Sequence, residues 1–233
     1  MNFLFLFFKT KVLLSIFSMF FTIWVYATIY GLPFAFGFVM MILVHEMGHY
    51  VAAKQRGLDV GLPAFIPFVG AWINLREHPH DSETEAYVAY AGPFVGTLAA
   101  FAAYFYGRSI ESDLWMAVSY SGFMINLFNL IPVSPMDGGR ITQVLSPRIW
   151  LFGAPMLVAL FFYSPSPMLL MIGVLALPNL RAAWSYDANS AEALRYNDIS
   201  ETVKVEYAIL YLGLAAVLAM MTYHVHQGLG HAQ

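Results

Sequence analysis

Cysteine is absent from the 233-residue sequence. No disulfide and no thiolate metal site can form, so any metal must be held by histidine and carboxylate, and the redox compartment is left open. Charge is the second scarcity: Asp, Glu, Lys and Arg make up 11% of the residues, against roughly 25% in soluble domains. So little charge excludes an ordinary water-facing surface. The net charge of −3, spread along the chain, excludes a basic face for nucleic acid. Internal repeats and low-complexity segments are lacking too. Apolar surface takes the place of charge, at 60% of residues, in runs that recur along the whole length. That distribution predicts a single all-α polytopic membrane domain over 1–233 rather than a soluble domain with an anchor.

The run 12–30 is nineteen residues long, beyond the roughly 7–15 of a signal-peptide core. It reads as a retained span, with a cleaved signal ending near Ala27 as the alternative. A turn at 31–33 leads to a second span, 34–53. Between 58 and 75, Gly61, Pro63, Pro67 and Gly70 rule out a long helix and predict a membrane-dipping hairpin or loop. The polar stretch 76–85 belongs in water. Spans at 86–106 and 114–131 follow, joined by a turn at 107–113. The runs 149–163 and 168–180 are shorter than the roughly 20 residues a crossing needs and read as short tilted helices or a re-entrant pair. A polar connector, 187–204, precedes the last span, 205–223. The sum is six to seven membrane segments plus the hairpin.

Lysine and arginine accumulate in short cytoplasmic loops. With a cytoplasmic N-terminus, ten of the eleven basic residues fall inside and only Arg108 falls outside. The expected location is a bacterial plasma membrane.

Inside the second span stands H-E-x-x-H, from His45 and Glu46 to His49. Four residues apart on a helix, both imidazoles project from one face and can reach one Zn²⁺, with Glu46 beside it as general base. Ionisable groups inside an apolar span are costly, so function outweighs the plain reading of a satisfied polar pair between helices. A catalytic zinc needs a third protein ligand and an open position. Asp137 stands out in FNLIPVSPMDGGR, 128–140, where Pro132, Pro135, Gly138 and Gly139 break the helix around an acid. His49 lies five residues before Lys54 and Asp137 three before Arg140, which puts both near the same membrane face. Irregular backbone at that depth must be buried in protein or line a wet cavity, and a hydrolase needs the cavity. His78 and His80 are weaker candidates, better explained by an exposed polar loop. His224, His226 and His231 fall past the last span, on the opposite side.

Two motifs in this order resemble the site-2 proteases, intramembrane zinc metalloproteases of the peptidase M50 type. H-E-M-G-H at 45–49 matches their first motif. N-x-x-P-x-x-P-x-D-G, here Asn129, Pro132, Pro135, Asp137 and Gly138, matches the second, and Ala91-Gly92-Pro93 resembles a weaker third. The likeness covers about 34–140, a catalytic core, and leaves 141–233 as C-terminal membrane segments with their connector. It implies that Asp137 completes a site for one Zn²⁺ and that Asn129 faces the scissile carbonyl or its oxyanion. It also implies that 61–75 is a membrane-associated β-hairpin whose Val69, Gly70 and Ala71 pair with an unwound substrate. Pro132 and Pro135 are the alternative place to hold substrate. The substrate so implied is a single-span membrane protein, cut in or near its membrane segment during regulated intramembrane proteolysis, with lipid around it. Many relatives carry a PDZ or CBS domain, for which 93–129 has no room, so a minimal form is expected. Self-association stays open.

Two other classes compete. A metal-ion transporter would use His45, His49 and Asp137 as a transit site, but it would want access from both faces and often an internal repeat. A proteolytically inactive scaffold of the same fold would lack a residue the chemistry requires, and none is lacking. Glu46 separates the readings, because hydrolysis needs it as a base and transit does not.

Overall fold

The computed structural model describes residues 3–68, 70–72 and 79–230. Its elements run α1 (Phe3–Tyr30), α2 (Leu32–Gln55), β1 (Ala64–Ile66), β2 (Gly70–Trp72), α3 (Ser82–Ser109), α4 (Asp113–Asn129), α5 (Asp137–Thr142), α6 (Trp150–Tyr163), α7 (Pro167–Trp184), α8 (Ala191–Tyr196) and α9 (Glu201–Gly230). Among the described residues, five helices are long and apolar enough to cross a membrane: α1 from residue 12, α2, α3, α7 and α9. The chain is thus an all-α polytopic membrane protein with one small hairpin, as its hydropathy predicts.

Helix ends follow local chemistry. Pro33 sits in the first turn of α2, where its missing N–H costs no intrahelical bond. Asp81 caps α3 by accepting from the Thr84 N–H at 2.6 Å, and Ser112 caps α4 by accepting from Trp115.

Three boundaries differ from the hydropathy reading. Helix α1 begins at Phe3 and continues through Lys9 and Lys11, since two lysines near a helix end do not break hydrogen bonding. Helix α7 runs 18 residues, past Pro178 and Arg181 to Trp184. It is therefore long enough to cross, whereas α6, with 14 residues, stays short. Proline is tolerated inside such helices because neighbours can re-satisfy the freed carbonyl, and an arginine near a helix end can reach toward the interface. The polar connector is also partly ordered as α8, and α9 begins within it at Glu201.

Small residues decide the packing. Ala86, Ala89 and Ala100 of α3 lie in one cluster with Phe123 of α4 and Leu214, Leu218 and Val225 of α9, since short side chains let membrane helices approach closely. A second cluster joins α6 and α7 to Ile131, Val133 and Met136, the segment between α4 and α5. A third packs α1, α2 and the hairpin around Ile23, Val39, Ile42 and Phe65.

The hairpin pairs antiparallel in the register Ala64↔Trp72, Phe65↔Ala71, Ile66↔Gly70. Its β1 side is fastened to α1: the Phe65 N–H donates to Ser18 Oγ at 3.1 Å and the Phe68 N–H to the Tyr26 hydroxyl at 2.9 Å.

The broken segment after α4 is held from the C-terminal half. The Tyr211 hydroxyl on α9 donates to the Leu130 carbonyl at 2.7 Å, and Trp150 Nε1 on α6 donates to the Gly139 carbonyl at 2.8 Å. The first bond satisfies a carbonyl past the end of α4 that lipid could not, and the second adds to the bond that the Gly139 carbonyl accepts from the Gln143 N–H at 3.0 Å.

Candidate active site

One turn of α2 sets His45 and His49 on a common face, and both are buried, as is Glu46 between them. Asp137 opens α5, and the break that precedes it brings its carboxylate to the same place. His45 Nε2 and His49 Nε2 lie 3.0 Å apart, and Asp137 Oδ2 lies 3.1 Å from the first and 3.2 Å from the second. Among the described residues these three are the one cluster of histidine and acidic side chains placed to share an ion. Glu46 is within electrostatic reach of all three and of Arg140.

The donor set fits zinc. Ligands at about 2.0–2.1 Å in a tetrahedron stand roughly 3.3 Å from one another, close to the separations found. The far side of His49 supports the same reading, because its Nδ1 donates to the Val88 carbonyl at 2.8 Å. A carbonyl can only accept, so in the neutral ring Nδ1 carries the hydrogen and the Nε2 lone pair points inward. Lone pairs and a carboxylate oxygen crowded within 3.2 Å repel one another unless a metal ion or a proton lies among them. His45 has its own outer contact, Nδ1 to Asn126 Oδ1 at 2.7 Å.

Helix α3 crosses close behind the histidines. A Cβ added at Gly92 would fall on the His49 imidazole ring. That contact gives the Ala91-Gly92-Pro93 motif a physical reason: only glycine lets α3 pass so near the cluster.

The remaining predicted residues are dispersed. Asn129 is half-buried at the end of α4, Pro132 is buried, and Pro135 is exposed after a cis peptide bond from Ser134. Gly70 and Ala71 are half-buried on β2, and Ala71 packs against the cluster holding Val39 and Ile42, a turn before His45. Val69, His78 and His231 lie outside the described residues, and His80 is exposed. His224 contacts the Tyr104 hydroxyl at 3.1 Å and His226 lies against the Tyr120 ring, both toward the far end of α3.

Several neighbours of the cluster escaped the motif reading. One is Asn126, whose signal was an amide in the middle of an apolar helix. Another is Glu85, expected in water at the end of the polar stretch 76–85 but held in a polar network. Arg140 Nε and Gln143 Nε2 each donate to it at 3.2 Å, and the Tyr196 hydroxyl on α8 donates to it as well. Burial, then the Glu85 carboxylate, pushes the Tyr196 phenol well above its ordinary value, so it remains a donor. Arg140 in turn reaches Asp137 Oδ1 at 4.0 Å.

Residues 33–112 match the family model described as Peptidase family M50. A zinc metalloprotease of Methanocaldococcus jannaschii is 28% identical over 142 residues, covering 58% of this chain and 41% of its own length. A chloroplastic protein of Arabidopsis thaliana, named as a probable zinc metalloprotease, is 24% identical over 245 residues, covering 82% of this chain and 42% of its own. The chain thus spans about two fifths of the length of these relatives. Among solved structures, a site-2 protease from Methanocaldococcus jannaschii superposes with a TM-score of 0.47 at 19% identity, covering 80% of this chain and 89% of that one.

Proposed function

We propose that the chain, an M50-type peptidase sequence around its H-E-x-x-H helix, is an intramembrane zinc metalloendopeptidase that cuts single-span membrane proteins in or near the membrane segment. The observation that carries this reading is the convergence of His45, His49 and Asp137 beside Glu46 inside a membrane helix bundle.

A peptide bond in a membrane helix is shielded by lipid and by the helix's own hydrogen bonds, so its hydrolysis needs water at depth and local unwinding. Held by His45, His49 and Asp137, Zn²⁺ would supply Lewis-acid chemistry, lowering the pKa of water to about 7 and polarising the scissile carbonyl. Glu46 takes the proton from the attacking water and delivers it to the leaving amine. Asn129 donates a hydrogen bond to the developing oxyanion, an interaction worth about 2.7–4 kcal/mol where the donor is preorganised.

The hairpin takes the unwound substrate as a third strand. The Phe65 N–H is turned away from β2, toward Ser18. Opposed residues in an antiparallel pair either exchange both bonds or neither. Phe65↔Ala71 is therefore a pair without mutual bonds, and Ala71 directs its N–H and C=O to the outer edge of β2. Strand β2 neighbours α2, the helix that carries the histidines, and Ala71 packs against the cluster holding Val39 and Ile42 of that helix. The charge pattern orients the site toward the cytoplasm.

The test is co-expression with single-span membrane proteins, comparing wild type with Glu46→Gln by the mass of cleavage products. Product from the wild type alone, with zinc retained in both proteins, is the expected result. Full cleavage by a verified Glu46→Gln protein would overturn the mechanism.

A further inference from the structure

We infer that Asn126 is a positioning residue for the metal: its amide holds His45 in the tautomer whose Nε2 lone pair faces Asp137 and His49. The inference rests on the metal-binding role proposed above.

An amide presents either its oxygen or its nitrogen to a neighbour, and the ends are told apart by what each one meets. Asn126 Nδ2 lies 2.7 Å from the Gly122 carbonyl, one turn back on α4. That carbonyl only accepts, so the nitrogen belongs there and the oxygen faces His45 Nδ1 at 2.7 Å. An acceptor at that point requires hydrogen on Nδ1. A neutral imidazole has one N–H, so Nε2 keeps its lone pair, 3.1 Å from Asp137 Oδ2 and 3.0 Å from His49 Nε2.

The surroundings confine the amide. Asn126 is 2% exposed. A Cβ added at Gly96 on α3 would collide with its side-chain amide, so that glycine makes the space the side chain occupies. Metal-binding histidines usually donate their second N–H to a fixed acceptor, and removing that acceptor costs about 10–100-fold in affinity. His49 uses the Val88 backbone carbonyl for this. His45 uses a side chain, which substitution can reach.

The test compares wild type, Asn126→Leu and Asn126→Asp as purified chains in detergent. Zinc affinity is read by chelator competition, and the ligand field by the visible spectrum of the Co²⁺-loaded protein. Leucine keeps the volume and loses the acceptor. Aspartate keeps an acceptor oxygen while giving up the donation to Gly122. The expected order is wild type tightest, aspartate next, and leucine weakest by about 10–100-fold, with an altered Co²⁺ spectrum for leucine. A packing role predicts the reverse order for the two variants, because leucine is the better buried residue. Asn126→Ala replaces leucine if that variant does not elute as a single folded species. Leucine or alanine binding zinc as tightly as wild type, or aspartate falling as far as leucine, overturns the inference alone. A wild type that binds no zinc overturns the proposed function, and the inference with it.

Discussion

His45, His49 and Asp137 are supported unequally. His49 leans on a backbone carbonyl, and Asp137 has Arg140 on its second oxygen at 4.0 Å. Losing Asp137 itself leaves two imidazoles, fewer than the three protein ligands of catalytic zinc sites. Asp137→Ala should therefore lower zinc affinity by more than the roughly 10–100-fold that loss of a supporting hydrogen bond costs, and cleavage should fall with it. Metal content after gel filtration checks this. Stoichiometric, tightly held zinc in Asp137→Ala would move the third ligand elsewhere. Glu46→Gln differs in kind, because it removes a base and leaves every ligand in place.

At the level of elements, the hairpin and α8 make separate predictions. Ala71 directs its N–H outward, so Ala71→Pro removes a donor from the outer edge while leaving the pairing of Gly70 and Trp72 with β1 intact. Cleavage of a membrane substrate should drop severalfold or more, with zinc content unchanged. Ala71→Gly keeps the N–H and should cost far less. Equal rates for Ala71→Pro and wild type would leave the hairpin a structural element, with substrate held elsewhere. Helix α8 is tied to the core by the Tyr196 hydroxyl on Glu85, a hydrogen bond to a carboxylate. Tyr196→Phe should lower stability by about 1.5–3 kcal/mol, measured by thermal or denaturant unfolding in detergent. Unfolding identical to wild type would show that the contact contributes nothing.

On the scale of the whole molecule, the helices sort their charges by end. Arg56 pairs with Glu83 at 3.4 Å and Arg140 with Glu85 at 3.2 Å around the start of α3, whereas Arg108 meets the Tyr104 hydroxyl at 3.2 Å near its finish. The charge rule assigns the first end to the cytoplasm. Absence of native cysteine suits a labelling test. A cysteine at Ser109, exposed at the end of α3, should react only from the non-cytoplasmic side, and one at Asn189, exposed in the connector, only from the cytoplasmic side. The opposite pattern would invert the orientation and place the His45–His49–Asp137 cluster toward the other compartment.

The sequence by itself determined whatever depends on neighbours along the chain. Apolar run lengths set α2, α3 and α9, the four-residue spacing put His45 and His49 on one face, and the glycine and proline pattern of 58–75 marked the hairpin. Asp137 was legible because a helix-breaking motif around an acid is itself local. Run length misjudged α7, because hydropathy stops at Arg181 while helical hydrogen bonding does not. Only the tertiary structure decided the partners. The contacts of His45 with Asn126, of Arg140 with Glu85 and of Tyr196 with Glu85 join residues 81, 55 and 111 positions apart. No periodicity encodes such separations, because they follow from how α2, α4, α5 and α8 are brought together around α3. Gly92 shows the boundary between the two: its motif was visible in the chain, but the imidazole it makes room for was not.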